Sequence, residues 1–413
     1  MYIPYEELGV QNSSGNKIVK KQNLKCPVRS AIHDLPSNPG NALMRYAREK
    51  GNVTTLAQGQ GDRPTPDFIT DAAMQAAKEG KTNYTPVLGI PELRRETSDY
   101  YKRIYGLDVP ESRIFVTGSG TSAMHYALTA VLDKGDHVVA VTPIWKNLLG
   151  AVRLAQANTT EVPMTEYEGQ WSLDLDRLFA ACRPETRVLL INSPSNPTGW
   201  VMDIQDMQAI LDFARARNLW IISDEVYGRI TYDGKPAPSF LNIAAPDDRL
   251  FVVNSFSKSW AMTGWRLGWL VGPESSEDSI YDIALYNQMC PVSFNQFGGI
   301  AALRHGEEFI ADQLSEWRIN RTLLDQFFKS TPGIEGCIPM SGFYGFFKVE
   351  GEPNCFELCF RLIENAKLCL APGCAFGDVA AGYVRLCFAV SRLKLENALD
   401  ALQAELGKSA KLN

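Results

Sequence analysis

From about residue 110 to residue 275 the chain alternates between short apolar runs and longer amphipathic stretches. The runs are Ile114–Thr117, His137–Thr142, Val188–Asn192, Leu219–Ser223, Leu250–Asn254 and Leu267–Val271. They are rich in β-branched residues and lack polar alternation, which predicts strands buried on both faces. Between them, stretches such as Ser122–Leu132 and Met207–Arg217 carry apolar residues at helical spacing. Buried strands separated by helices predict an α/β fold: a mostly parallel central sheet flanked by helices.

The two ends read differently. Residues 1–55 form a polar arm punctuated by Pro and Gly, followed by a helix near Ala42–Lys50. Beyond about residue 305 the pattern predicts a long helix through Glu316–Phe328 and a hairpin at Ile338–Val349. A helix at Cys355–Asn365, a strand at Tyr383–Ala389 and a last helix from Leu393 follow. The expected division is residues 1–55, a large unit over 56–305, and 306–413.

Composition narrows the function classes. Of the 413 residues, 45% are apolar and 21% charged, the balance of a globular protein with a sizeable core. A net charge of −6 with no run of like charges argues against a nucleic-acid surface. No apolar run approaches the roughly 18 residues that a membrane span needs. The segment Met1–Glu7 has neither a basic region nor an apolar run, so no leader is expected.

The chain has nine cysteines, six of them between Cys337 and Cys387, and none in a CxxC pair. Cys355 and Cys359 stand one helical turn apart, a spacing open to a metal. Only four histidines exist (His33, His125, His137 and His305), and the pattern favours reduced thiols in the cytoplasm, with no metal site.

The stretch Ser255-Phe256-Ser257-Lys258 joins two of the apolar runs, and Arg266 follows it. A lysine between two buried strands is costly unless it is paired or chemically used. Two hydroxyls and a guanidinium suit a dianionic phosphate, leaving the amine free to condense with a carbonyl. A phosphate-bearing aldehyde joined to lysine describes pyridoxal 5'-phosphate. Further along, Val116–Ser122 is a Gly-rich turn between strand and helix, which serves either an anion or a plain tight turn. Asp224 closes an apolar run, where it suits a pyridine nitrogen or a helix N-cap. Arg385 interrupts the apolar run Tyr383–Ala389 and needs a planar anionic partner.

These segments resemble the class I/II aminotransferases, the fold-type I enzymes that use pyridoxal 5'-phosphate, in family order from Gly59 to Arg385. The resemblance implies that the two ends combine into a smaller α+β domain. It implies that Lys258 carries the cofactor and moves the substrate proton. Ser119, Gly120, Thr121, Ser255, Ser257 and Arg266 hold the phosphate, and Trp145 stacks on the ring. Asn196, in Asn196-Pro197-Thr198-Gly199, and Tyr227 reach the phenolic oxygen, while Asp224 keeps the ring nitrogen protonated. Arg385, Asn196 and the backbone of Gly59 take the substrate carboxylate. Tyr84 reaches the phosphate of a neighbouring subunit, which implies a homodimer with shared sites. The implied reaction exchanges an amino group between an L-amino acid and a 2-oxo acid.

Two departures bear on the substrate. One aspartate-using subgroup has a lysine where this chain has Thr121. Another takes an arginine from a partner segment that here reads Asn287–Pro291. Gly61 also stands where many relatives have proline. With Met289, Cys290 and Phe343 expected along the pocket wall, an amino donor with a neutral side chain is predicted. Arg29, Arg63 and Lys146 are the alternative clamps for a distal carboxylate, against plain solvated positions. A β-lyase or an aminocyclopropane-carboxylate-synthase-like enzyme is the rival activity, because the same cofactor residues serve it. A cofactor-binding regulator is disfavoured: the N-terminal arm lacks a helix-turn-helix signature.

Overall fold

A computed structural model describes residues 39–409 together with Ile32 and Leu35. Arg29, His33 and most of the N-terminal arm lie outside the described residues. Seven strands form the main sheet: β1 (Ile114–Thr117), β2 (His137–Thr142), β3 (Asn158–Pro163), β4 (Thr186–Asn192), β5 (Trp220–Asp224), β6 (Leu250–Ser255) and β7 (Gly268–Val271). Their order is β1-β7-β6-β5-β4-β2-β3. All neighbours pair in parallel except β7, which runs antiparallel to both β1 and β6.

The six runs read from the sequence are six of these strands, within two residues at each end. The one it missed, β3, is the edge strand Asn158–Pro163, only one residue of which is buried. An edge strand half-covered by solvent needs no continuous apolar run, so its polar sequence carried no signal.

Successive residues of the inner strands enter two separate cores. Val139, Val141, Leu189 and Ile191 pack on one side, Val138, Ala140, Val188 and Leu190 on the other. The helix Ile204–Arg217 covers the first side through Met207, Ile210, Leu211 and Ala214. The helix Gly120–Val131 covers the second through Ala123, Met124 and Ala127. Each fully buried aliphatic side chain contributes about 1.5–3 kcal/mol, which makes the sheet a rigid base for whatever stands at its edge.

The direction of β7 matters most. It starts at the edge where the parallel strands end: Gly268 is in register with Ser255 of β6 and Thr117 of β1. At the same edge Asn192 is in register with Asp224. The segment between β6 and β7, which holds Lys258 and Arg266, therefore returns to the carboxyl edge of the sheet. That edge is where open α/β sheets place ligands.

A second, antiparallel sheet comprises β8 (Ile334–Cys337), β9 (Tyr344–Val349), β10 (Ala371–Pro372) and β11 (Tyr383–Cys387), ordered β8-β9-β11-β10. The expected hairpin is present, but its first strand lies four residues earlier than the sequence suggested. The short strand Thr54–Thr55 pairs in parallel with Leu368–Cys369, so the N-terminal part joins the C-terminal part directly. The helix Pro39–Lys50 reinforces this join, with Tyr46 and Lys50 both bonded to Glu364.

Candidate active site

Lys258 stands in a short helix, Phe256–Ser259, that begins as β6 ends. Ser255 starts the turn by accepting the Ser257 N–H at 3.1 Å, and the two hydroxyls are 2.9 Å apart. The Lys258 amine donates to the Gly59 carbonyl at 2.7 Å and lies 5.9 Å from the centre of the Tyr227 ring. Burial, with the nearby Arg385 charge, lowers its pKa to about 8.

The lysine faces a cavity of about 450 Å³. Gly59, Gly120, Thr121, Trp145, Asn196, Asp224, Tyr227, Ser255, Ser257, Arg266 and Arg385 line it with Lys258. Eleven expected site residues thus surround the lysine, brought from segments more than 300 residues apart.

Opposite the strand ends, the helix Gly120–Val131 opens beside Ser255. Ser119 caps it, accepting the Ser122 N–H at 3.0 Å, and lies behind the cavity wall. Gly268 is needed here: a Cβ on it would stand 2.7 Å from the Gly120 nitrogen. This close approach sets a helix N-terminus, two serine hydroxyls and the Arg266 segment around one spot, a donor set fit for a phosphate. Arg266 is exposed and donates to the Thr263 carbonyl at 2.7 Å.

Asp224 is 5% exposed and forms no ion pair among the described residues. Its carboxylate accepts the Val226 N–H at 3.3 Å, and burial raises its pKa to about 6. Asn196 is positioned by Asn192, which accepts its N–H at 2.8 Å. The Asn196 amide reaches the Tyr227 hydroxyl at 3.5 Å and accepts from Arg385 at 2.8 Å. Arg385 also donates to the Ala57 carbonyl at 2.5 Å, while its Nε is buried with no partner. Its guanidinium lies 4.3 Å from the Tyr344 ring centre and 4.7 Å from that of Phe376. An orphan donor on a buried arginine fits an incoming carboxylate.

Gly59 lines the cavity and presents its carbonyl to Lys258, while the carbonyl on Arg385 belongs to Ala57. Three other expectations need correction. Phe343 lines a neighbouring cavity of about 560 Å³, which shares Lys258 and Ser257 with the first. The residue beside it, Tyr344, faces Lys258 and bonds the Tyr227 hydroxyl at 2.7 Å. Phe343 and Tyr344 are adjacent, and the sequence does not show which of them enters. Met289 is exposed, and neither it nor Cys290 lines either cavity.

Tyr84 is 82% exposed and away from both cavities. Of the alternative clamps, Arg63 is held by Asp312 and Glu316 at 2.7 and 2.8 Å. Lys146 points to the Cys374 carbonyl at 3.3 Å. The wall facing the sheet edge is made by Met44, Leu148, Ala371, Ala375 and Phe376, which the sequence did not single out. The cysteines at 355 and 359 are buried free thiols, and no group of three metal-binding side chains occurs among the described residues.

Comparison with known proteins agrees with this geometry. The aspartate aminotransferase of Pyrococcus horikoshii is 33% identical over 367 residues, 88% of this chain and 93% of that protein. The aromatic-amino-acid aminotransferase 2 of Thermococcus litoralis is 34% identical over 375 residues, 89% and 96% of the two. Among solved structures, the aspartate aminotransferase of Thermotoga maritima matches with a TM-score of 0.86 at 31% identity, covering 92% of this chain and 100% of that one. These relatives share the fold-type I architecture described above. The family profile of aminotransferase class I and II matches residues 51–402, a span that holds both sheets and the cavity residues from Ala57 to Arg385, and the chain belongs to that family.

Proposed function

We propose that this aminotransferase holds pyridoxal 5'-phosphate in the Lys258 cavity and exchanges an amino group between an L-amino acid and a 2-oxo acid by a ping-pong cycle. One observation carries the reading: a buried carboxylate without an ion pair, Asp224, shares a cavity with a lysine amine brought near neutrality. When bound, the cofactor supplies an aldehyde carbon to the amine and a ring that accepts electrons from the substrate Cα.

Asp224 would hold a proton on the ring nitrogen, gaining the cation that its buried site lacks. The amides at Gly120 and Thr121, the hydroxyls of Ser255 and Ser257, and Arg266 would hold the phosphate. Ser119 supports them as the helix cap. Trp145 would cover a ring face, and Asn196 with Tyr227 would donate to the phenolic oxygen. Burial pushes the Tyr227 pKa well up, so its proton stays available. Arg385, with its free Nε, would grip the substrate α-carboxylate beside Asn196. Lys258 would hold the cofactor through its amine and, when that amine is free, would carry the proton to and from the substrate Cα. A pKa of about 8 suits both halves of that transfer at physiological pH.

The cations lining the cavity are Lys258, Arg266 and Arg385. Each has a role above, which leaves none among the described lining residues for a second carboxylate. The donor therefore carries a neutral, apolar or aromatic side chain against Met44, Leu148, Ala371, Ala375 and Phe376.

The active unit is read as a homodimer. Tyr84 is exposed on a loop tied to the helix Ser293–His305 by the Ser293–Lys81 and Gln296–Thr85 bonds, close in sequence to exposed Met289 and Val292. An apolar surface around an unspent tyrosine supports a partner there. We read residues 1–55 and 306–413 as one small domain, on the strand pair Thr54–Thr55 with Leu368–Cys369. Cytoplasmic placement is supported by eight free thiols among the described residues.

The test is a half-reaction. Phenylalanine added to the purified yellow protein should bleach the visible absorbance and release one 2-oxo acid per site. A 2-oxo acid should then restore the absorbance. With cysteine, whose thiol can leave from Cβ, continuous release of hydrogen sulfide, ammonia and a 2-oxo acid without added 2-oxo acid would instead establish the β-lyase activity.

A further inference from the structure

The site uses none of the six cysteines between Cys337 and Cys387. Two of them, Cys355 and Cys374, are in direct contact. The Cys374 N–H donates to the Cys355 sulfur at 3.5 Å. The Cys374 Cα, bonded to that nitrogen at about 1.46 Å, therefore lies within about 5 Å of the Cys355 sulfur, which fits disulfide closure. Cys355 is buried, while Cys374 is partly exposed and marks the side of approach from solvent.

The turn that carries Cys374 reaches the cavity. The Gly373 carbonyl accepts from Phe376 at 2.8 Å and that of Pro372 from Ala375 at 3.0 Å, closing the turn tightly. Ala375 and Phe376 line the Lys258 cavity. The Phe376 carbonyl also accepts the Ile144 N–H at 2.9 Å, one residue before Trp145. Movement at Cys374 is thus passed to the apolar wall and to the Arg385 side of the cavity.

We propose that Cys355 and Cys374 are a redox modification site, closed to a disulfide by peroxide and reopened by a dithiol, and that closure weakens amino-donor use. The effect on the donor rests on the cavity reading above; the chemistry of the pair does not.

The Cys374 N–H that donates to its sulfur favours a thiolate on Cys355, which we assign as the attacking group. Its sulfur bonds one peroxide oxygen, the O–O bond breaks, and hydroxide leaves and takes a proton. The resulting sulfenic acid is attacked by the Cys374 sulfur, which gives up its proton. The S–S bond forms, the S–O bond breaks and water leaves. Two thiols and one peroxide give one disulfide and two waters.

The experiment treats the holoenzyme with hydrogen peroxide, blocks remaining thiols, maps linked peptides and measures kcat/KM for phenylalanine. The expected result is a Cys355–Cys374 linked peptide and a kcat/KM lowered roughly ten- to a hundredfold, the scale of a displaced site wall. The visible absorbance should persist, and dithiothreitol should reverse both changes. Cys374→Ser, or Cys374→Ala if the serine variant folds poorly, should keep basal activity and lose the sensitivity. Cys182→Ser, at a partly exposed thiol elsewhere, should remain sensitive.

Linkage to another cysteine, or oxidation that stops at sulfinic acid, would overturn the modification site. Unchanged kcat/KM in the linked enzyme, or loss of activity that persists in Cys374→Ser, would overturn its control of the donor. If untreated enzyme fails the half-reaction, the cavity reading has failed instead, and the peptide map still decides whether the pair closes.

Discussion

The two poles of the Lys258 cavity are built on opposite rules. At the sheet edge stand Asp224, Lys258 and Arg266, with Arg385 beside Asn196. Set among them, Met44, Leu148, Ala371, Ala375 and Phe376 line the same cavity without charge, Ala371 and Phe376 directly beside Arg385. The first pole is held against its own electrostatic preference. Asp224 and Lys258 are both pushed toward their neutral forms by burial. The pKa of the next residue, Glu225, is also raised by burial, to about 7, and Glu225 differs from Asp224 in its partners. It is equally buried, yet accepts from the Ser223 hydroxyl at 3.0 Å and from the Phe240 N–H at 3.1 Å. Glu225 is supplied with donors by the fold, whereas Asp224 has one long backbone bond and faces the cavity. A group left short of partners at a rigid strand end is placed for a ligand. The apolar residues have no such debt, and the proposal above gives them the donor side chain.

Removing the lysine should do most damage. Lys258→Ala is expected to lower turnover by about 10⁴-fold or more, since it removes both the linking amine and the proton carrier. Single-turnover mixing with phenylalanine checks it, and phosphate contacts should still retain the cofactor. A variant with near-normal turnover would separate the lysine from the chemistry.

Asp224→Asn comes next and splits function from stability. Turnover should fall about 10²- to 10³-fold, the range of a lost electrostatic partner in a buried site. The cofactor-free protein should become more stable. A carboxyl raised from 3.8 to about 6 on folding costs up to about 3 kcal/mol when ionised. The sign follows from the raised value: the cost is absent below the unfolded pKa, grows as pH rises toward 6, and is full above it. Melting of the cofactor-free variant should therefore exceed wild type at pH 8, with the difference shrinking toward pH 4. A variant less stable at pH 8 would make Asp224 a structural group like Glu225.

These two poles were not equally legible in the sequence. Lys258, Asp224 and Arg385 stood out because few residue types do such chemistry beside or within apolar runs, while Asn196 came from the family resemblance. Seven positions in the strand ends and their turns then followed from order along the chain. The apolar wall was not visible, because Met44, Leu148 and Phe376 are indistinguishable in type from core residues. They come from separate segments that only the joined N- and C-terminal parts bring together. Phe343 and Tyr344 are neighbouring aromatics of the same type, and nothing in the sequence separates them. Strand β3 was missed for the opposite reason, being too exposed to require an apolar run.

The smallest expected change sharpens the uncharged pole. Thr121 lines the cavity where one aspartate-using subgroup has lysine. Thr121→Lys should shift the ratio of kcat/KM for aspartate over phenylalanine upward by about tenfold, equal to about 1.4 kcal/mol. An unchanged ratio would mean that side chains at 121 do not reach the donor's distal end.

The most direct measurement is kcat/KM of the unmodified enzyme across phenylalanine, leucine, alanine, aspartate and glutamate. With its three cations already engaged, the cavity should favour phenylalanine or leucine over aspartate by about tenfold or more, because burying an unpaired carboxylate is costly. A clear preference for aspartate would contradict the account and require a cation at the pole described here as uncharged.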